Sequence, residues 1–171
     1  MRTLLAAAAL LLAAPAAAQP RVYAFDEIAS DLAYGLCPLL LANALPLDAP
    51  QLAERGFGTA VQKQPHARFG EIQIVGLKRP EGEIGFGGAP GKVCTVAVTG
   101  EGRAAALARL RSAMEYMGLD FKPAPHTGAT PPGVTVETFK APVEGQMLYV
   151  QHIQTGGPTP ALLVNVFGMP E

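Results

Sequence analysis

Tryptophan is absent from this 171-residue chain, and all aromatics together make up only 6% of it. Stacking platforms for bases or sugar rings are therefore poorly supplied. Charge of either sign is scarce and nearly balanced, with a net of −1, so general attraction for nucleic acid is excluded. Serine occurs only at Ser30 and Ser112. Both lie in helical segments, and neither sits in a G-x-S-x-G or S-x-x-K pattern, which removes the usual serine-nucleophile signatures. No run approaches the roughly 20 apolar residues that a membrane-spanning helix needs. The glycine-rich stretch 82–91 lacks the phosphate-loop spacing. Phe86 stands where the first glycine belongs, Val93 replaces the Ser or Thr, and a strand follows in place of a helix. The dinucleotide pattern fails as well, because Pro90 occupies its third glycine. A flexible hairpin is the plain expectation for this stretch. No metal site and no cofactor are expected, since His66, His126 and His152 lack the i, i+4 spacing of a helical zinc site.

The N-terminus is informative. Met1 and Arg2 precede an unbroken Leu and Ala run over 4–14, which Pro15 ends. Ala16, Ala17 and Ala18 then supply the small residues that a signal peptidase reads. Residues 1–18 are expected to be a cleavable secretory signal, and 19–171 a single globular domain. The 153 residues of that domain carry 12 basic and 14 acidic side chains, net −2. A periplasmic or extracellular location is expected, with no membrane span after cleavage.

Export gives the two cysteines a meaning. Cys37 and Cys94 are the only pair, and an oxidising compartment favours their bridging. Cys94, Val96 and Val98 share one face of an expected strand over 93–99. Cys37 lies beside the helical stripe Phe25, Ile28, Leu32 and Leu36. A Cys37–Cys94 bridge would therefore tie the first helix to the inner face of a sheet.

Helical spacing starts near Asp26, which is expected to cap the first helix, and Pro38 predicts a kink or restart at Cys37. A second short helix is expected after Asp48, with Gln51 three residues on and Gly56 as its stop. A polar connector then runs to His66. Strands are expected over 69–77, 82–88 and 93–99, and a helix over 102–117 buries Leu107, Leu110, Met114 and Met117. A proline-rich loop spans 120–133, and strands over 134–139, 147–154 and 162–167 close the chain. The expected fold class is α+β: an antiparallel sheet of five or six strands with helices packed mainly on one face. The order also admits two related helix-plus-three-strand halves. Residues 52–57 resemble 114–119, and Lys63 with Pro65-His66 is echoed by Lys122 with Pro125-His126.

Two functions compete. The first is a non-enzymatic binding or accessory module of the cell envelope, whose partner is an envelope protein or a small ligand. Its candidate binding loop carries Lys122, His126 and Thr127, because long loops in compact domains are often functional. No catalytic residue is assigned on this reading. The alternative is a small periplasmic hydrolase or metal-dependent enzyme in which His66, His126 or His152 meet an acid such as Glu137.

Overall fold

The computed structural model describes residues 22–66 and 68–170. The expected signal over 1–18 lies outside the described residues. Among the described residues, eight antiparallel strands form one sheet: β1 (Gln62–His66), β2 (Gly70–Arg79), β3 (Gly82–Ala89), β4 (Val93–Thr99), β5 (Lys122–Ala124), β6 (Val134–Val143), β7 (Gln146–Thr155) and β8 (Ala161–Pro170). Their order is β1-β2-β3-β4-β8-β7-β6-β5, symmetric about the β4–β8 pair. The fold is thus α+β, but the sheet has eight strands where five or six were expected, and each half contributes four rather than three. The two additional strands are the edges. β1 lies within the segment expected to be a polar connector, and β5 occupies the start of the expected 120–133 loop.

Both edges are built to refuse further pairing. β1 carries Lys63 and Pro65, and β5 is three residues long with Pro123 at its centre. A missing N–H, a charged side chain and short length each blunt an exposed ladder.

The β6–β7 hairpin turns on Glu144 and Gly145, both with positive φ (46° and 77°). That is the two-residue geometry whose twist suits a hairpin, and it sets the register from Val143 opposite Gln146 to Val134 opposite Thr155. The glycine-rich stretch does form a hairpin, with β3 as one arm and the turn at Pro90 and Gly91 leading into β4, and β3 is flanked on both sides by β2 and β4. A Cβ at Gly87 would lie 1.9 Å from the Gln73 carbonyl oxygen, and one at Gly88 would lie 2.1 Å from that of Val93. Glycine is required at these two positions because neighbouring backbone occupies the space a side chain would need.

The helices are α1 (Phe25–Asp31), α2 (Cys37–Leu41), α3 (Pro50–Glu54) and α4 (Arg103–Glu115). Asp26 is not the first cap. Ala24 takes that position, and the Glu27 carboxylate accepts its N–H at 3.2 Å. α3 likewise starts one residue later than Asp48 implies, with Ala49 as cap and Pro50, whose fixed φ suits the first turn, behind it. Between α1 and α2, residues Leu32–Leu36 form a π turn, in which the Cys37 N–H bonds to the Leu32 carbonyl five residues back. Pro38 has no N–H to continue an α ladder, and the chain passes it by widening one turn rather than by a simple kink.

The helices do not form the plain layer expected. α1 packs chiefly on α4, while the π turn and α2 reach the sheet at β3, β4 and β8. Together they bury Ile28, Leu32, Leu36, Leu40 and Leu110 in one cluster with Val75, Phe86, Val96, Val98, Val150, Val164 and Val166 of the sheet. Cys37 and Cys94 are disulfide-bonded inside that cluster, their Cα atoms 5.4 Å apart. A second, smaller cluster of Ile72, Ala89, Val93 and Phe167 lies on the reverse face. Arg68 and Phe69, at the tip of the β1–β2 hairpin, reach over it. The Arg68 guanidinium stands 5.2 Å from the Phe69 ring centre and 5.5 Å from that of Phe167.

Candidate functional site

His152 is the one histidine in the core. Its side chain has 0% exposure, beside Val150 on its own strand and Val164 on β8. The β6–β7 register puts it opposite Glu137, and the π turn brings Tyr34 down on its other side. The Tyr34 hydroxyl lies 3.0 Å from His152 Nε2, and Glu137 Oε2 lies 3.8 Å from Nδ1. Arg111 of α4 then grips both Glu137 oxygens, through Nε at 3.1 Å and through a shorter Nη2 contact. A polar chain Tyr34–His152–Glu137–Arg111 thus runs from the helical layer to the side of the domain. A π turn is a common device for aiming a side chain at a functional position, and here it aims Tyr34.

The chemistry of this chain follows from burial. Burial pushes the Tyr34 phenol above its ordinary range, so it stays protonated. Burial also lowers His152 to about 4; Glu137 opposes that shift and Arg111 adds to it. The imidazole is therefore neutral at pH 7. A bare Nδ1 lone pair would face a carboxylate, so the ring proton belongs on Nδ1, and Nε2 accepts from Tyr34. At 3.8 Å the Glu137 oxygen is too far to accept that proton well, and Nδ1 has no hydrogen-bond partner among the described residues.

The order hydroxyl, imidazole, carboxylate is that of an activated nucleophile. Its protonation energetics are wrong for that role near neutral pH. A general base works best with a pKa near the working pH, and His152 lies well below it.

The outer end of the chain opens into a cleft. Arg111, Met114 and Glu115 of α4, Leu119, Asp120 and Phe121 after it, and Glu137 and Phe139 of β6 enclose about 400 Å³. Phe139 also packs on the His152 ring, their centres 5.5 Å apart. A second groove, of about 450 Å³, lies beside α1 and contains Tyr34, Arg55 and Arg109. Its cations are already engaged. Arg55 holds Asp31 through Nε at 2.7 Å and Nη2 at 2.5 Å, bonds the Gln51 carbonyl and stacks over Tyr23. Arg109 faces Glu27 at 3.8 Å. Since the Arg55 side chain is only 11% exposed, Arg55→Ala is expected to lower the unfolding free energy by about 1–2 kcal/mol, by leaving Asp31 unpaired. Arg55→Lys should recover less than half, because a single ammonium cannot reproduce the fork. Urea melts of the three proteins check this.

The three histidines do not gather. His66 ends one edge strand, and its Nδ1 accepts the N–H groups of Arg68 and Phe69 at 3.1 and 3.3 Å. His126 follows the opposite edge strand, and His152 is buried between β6 and β8. No group of three metal-ligating side chains occurs among the described residues. Of the candidate binding loop, Lys122 opens β5 and pairs with Asp120 at 3.1 Å, while His126 and Thr127 are exposed beyond it. None of the three lines the 400 Å³ cleft, whose wall is the segment just before them. Glu137, the acid considered for a histidine site, does face a histidine. Tyr34 and Arg111 carry no sequence signal, because their roles depend on the π turn and on how α4 docks.

No protein-family model, no curated protein and no solved structure matches this chain. No helix among the described residues is long and apolar enough to cross a membrane, and the disulfide is of the kind an oxidising compartment favours.

Proposed function

We propose that this chain is an exported cell-envelope protein, periplasmic or extracellular, that acts as a binding or accessory module and takes a small ligand in the cleft between α4 and β6. The observation that carries the reading is the cleft itself. It joins apolar walls (Met114, Leu119, Phe121, Phe139) to a few convergent charged groups, the composition typical of small-molecule sites. The low basicity of His152 supports binding over acid–base chemistry at neutral pH. The export reading rests on residues 1–18 and on the buried Cys37–Cys94 bridge.

Native mass spectrometry of the protein isolated from the cell envelope without reductant tests all of this together. The expected species begins at Gln19, is two hydrogens lighter than the reduced chain, and carries a small organic adduct that Phe139→Ala weakens. A stoichiometric metal ion would instead favour the hydrolase reading with His66, His126 or His152. Retention of residues 1–18 would overturn the export reading.

A further inference from the structure

We infer that the cleft between α4 and β6 takes an organic cation: a molecule with an aromatic or aliphatic body and a single ammonium head. The inference rests on the reading of this cleft as a ligand site and adds the charge and class of the ligand. Three carboxylates, Glu115, Asp120 and Glu137, line the cleft against one guanidinium, Arg111. Arg111 is used up on Glu137 through two hydrogen bonds. Lys122, from outside the lining, pairs with Asp120 at 3.1 Å. Glu115 is left over, with no ion-pair partner among the described residues.

Its position makes that charge costlier. Glu115 is the last residue of α4, and the last turn contains no basic side chain. A carboxylate there meets the negative end of the helix dipole, an arrangement that costs stability where a cation would add it. Local rules are most often broken where function requires it, and an ammonium ion in the cleft would reverse the penalty.

A second observation points the same way. The fully buried His152 directs an unpartnered Nδ1–H toward Glu137 Oε2, across 3.8 Å. Arg111 holds that carboxylate outward. Because that N–H makes no hydrogen bond to Glu137, Arg111 alone neutralises this carboxylate, which keeps accepting capacity for a ligand ammonium. Phe121 and Phe139 give the body of the ligand apolar walls, and their ring faces also attract a cation.

The test is a calorimetric titration of the mature, oxidised chain with three probes of one shape: 2-phenylethylammonium, 2-phenylethanol and 3-phenylpropanoate. The ammonium is expected to bind at least ~10-fold more tightly than the alcohol, a difference of about 1.4 kcal/mol, and to weaken with added salt. Glu115→Gln, a change at an exposed helix end that should leave the fold intact, is expected to remove most of that preference while leaving the alcohol unaffected. Tightest binding of 3-phenylpropanoate would make Arg111 the head-group ligand and overturn the cation assignment, while the cleft would remain a ligand site. Equal binding of all three, unchanged by Glu115→Gln, would also overturn it. Failure of all three to bind would overturn the cation inference and count against the ligand-site reading beneath it.

Discussion

Replacing Cys37 and Cys94 together by alanine is expected to lower the unfolding free energy by about 2–5 kcal/mol. The bridge closes a loop of sequence separation 57, for which chain entropy alone gives roughly 4 kcal/mol. Domains of this size are stable by only about 5–15 kcal/mol, so the change removes a large share. The loop it closes contains α2, α3, β1, β2 and all of β3, which includes one edge of the sheet and the segment whose tip covers the reverse face. Position matters as much as length. Cys37 is the first residue of α2, immediately after the π turn that aims Tyr34, so the bridge also fixes the helical side of the Tyr34–His152 contact to β4. Both cysteines have 0% exposure, so a reductant reaches the bond only through opening of the fold. Wild-type protein in dithiothreitol should therefore keep its bridge without denaturant, and should lose it and match the double variant once urea admits the reagent. Urea melts with and without dithiothreitol measure both. A loss below about 1 kcal/mol in the double variant would mean that packing, not the cross-link, holds α2 to the sheet.

The elements that were legible in the sequence are those whose signal is local. Cys94, Val96 and Val98 alternate, so β4 and its inward face follow from the pleat. Leu107, Leu110 and Met114 recur at helical spacing, and α4 follows. The edge strands are illegible for a physical reason. Gln62–His66 and Lys122–Ala124 are polar, proline-bearing and exposed, the composition that keeps an edge from recruiting another chain, and it reads as a loop. The glycines of β3 look like flexibility, because what demands them is the neighbouring carbonyls of Gln73 and Val93, placed only by the tertiary fold. The site divides along the same line. That His152 lies on the face of Leu148 and Val150 follows from alternation. That Glu137 stands opposite depends on the two-residue turn at Glu144 and Gly145, since a one-residue slip would send Glu137 to the other face. Tyr34 depends on a helix widened by one residue, and Arg111 on the docking of α4; neither leaves a pattern in the sequence.

Acid should destabilise this protein through His152 in a window set by its own titration. The folded state holds the imidazole at about 4, against about 6.5 in an unfolded chain. Below pH 6.5 the unfolded chain binds the proton more readily, so stability falls as pH falls. The loss begins near pH 7.5, approaches about 1.4 kcal/mol per pH unit at its steepest, and reaches on the order of 3 kcal/mol near pH 4, where the folded state begins to take the proton too. The slope is about half its maximum at pH 6.5 and vanishes above about pH 7.5, where the unfolded imidazole is neutral as well. The effect survives salt poorly screened, because its main cause is desolvation rather than a surface charge. His152→Leu supplies the control. It removes the titrating group and the unpartnered Nδ1, so its urea midpoint should change less between pH 7 and pH 4.5 than that of the wild type, even though the Tyr34 hydroxyl loses its acceptor and the variant starts from a different stability. A wild-type slope equal to that of His152→Leu would show that His152 is protonated in the folded state as readily as in the unfolded one. The Glu137 carboxylate would then already be close enough to stabilise the imidazolium, and the Nδ1 donor that faces it would have a partner.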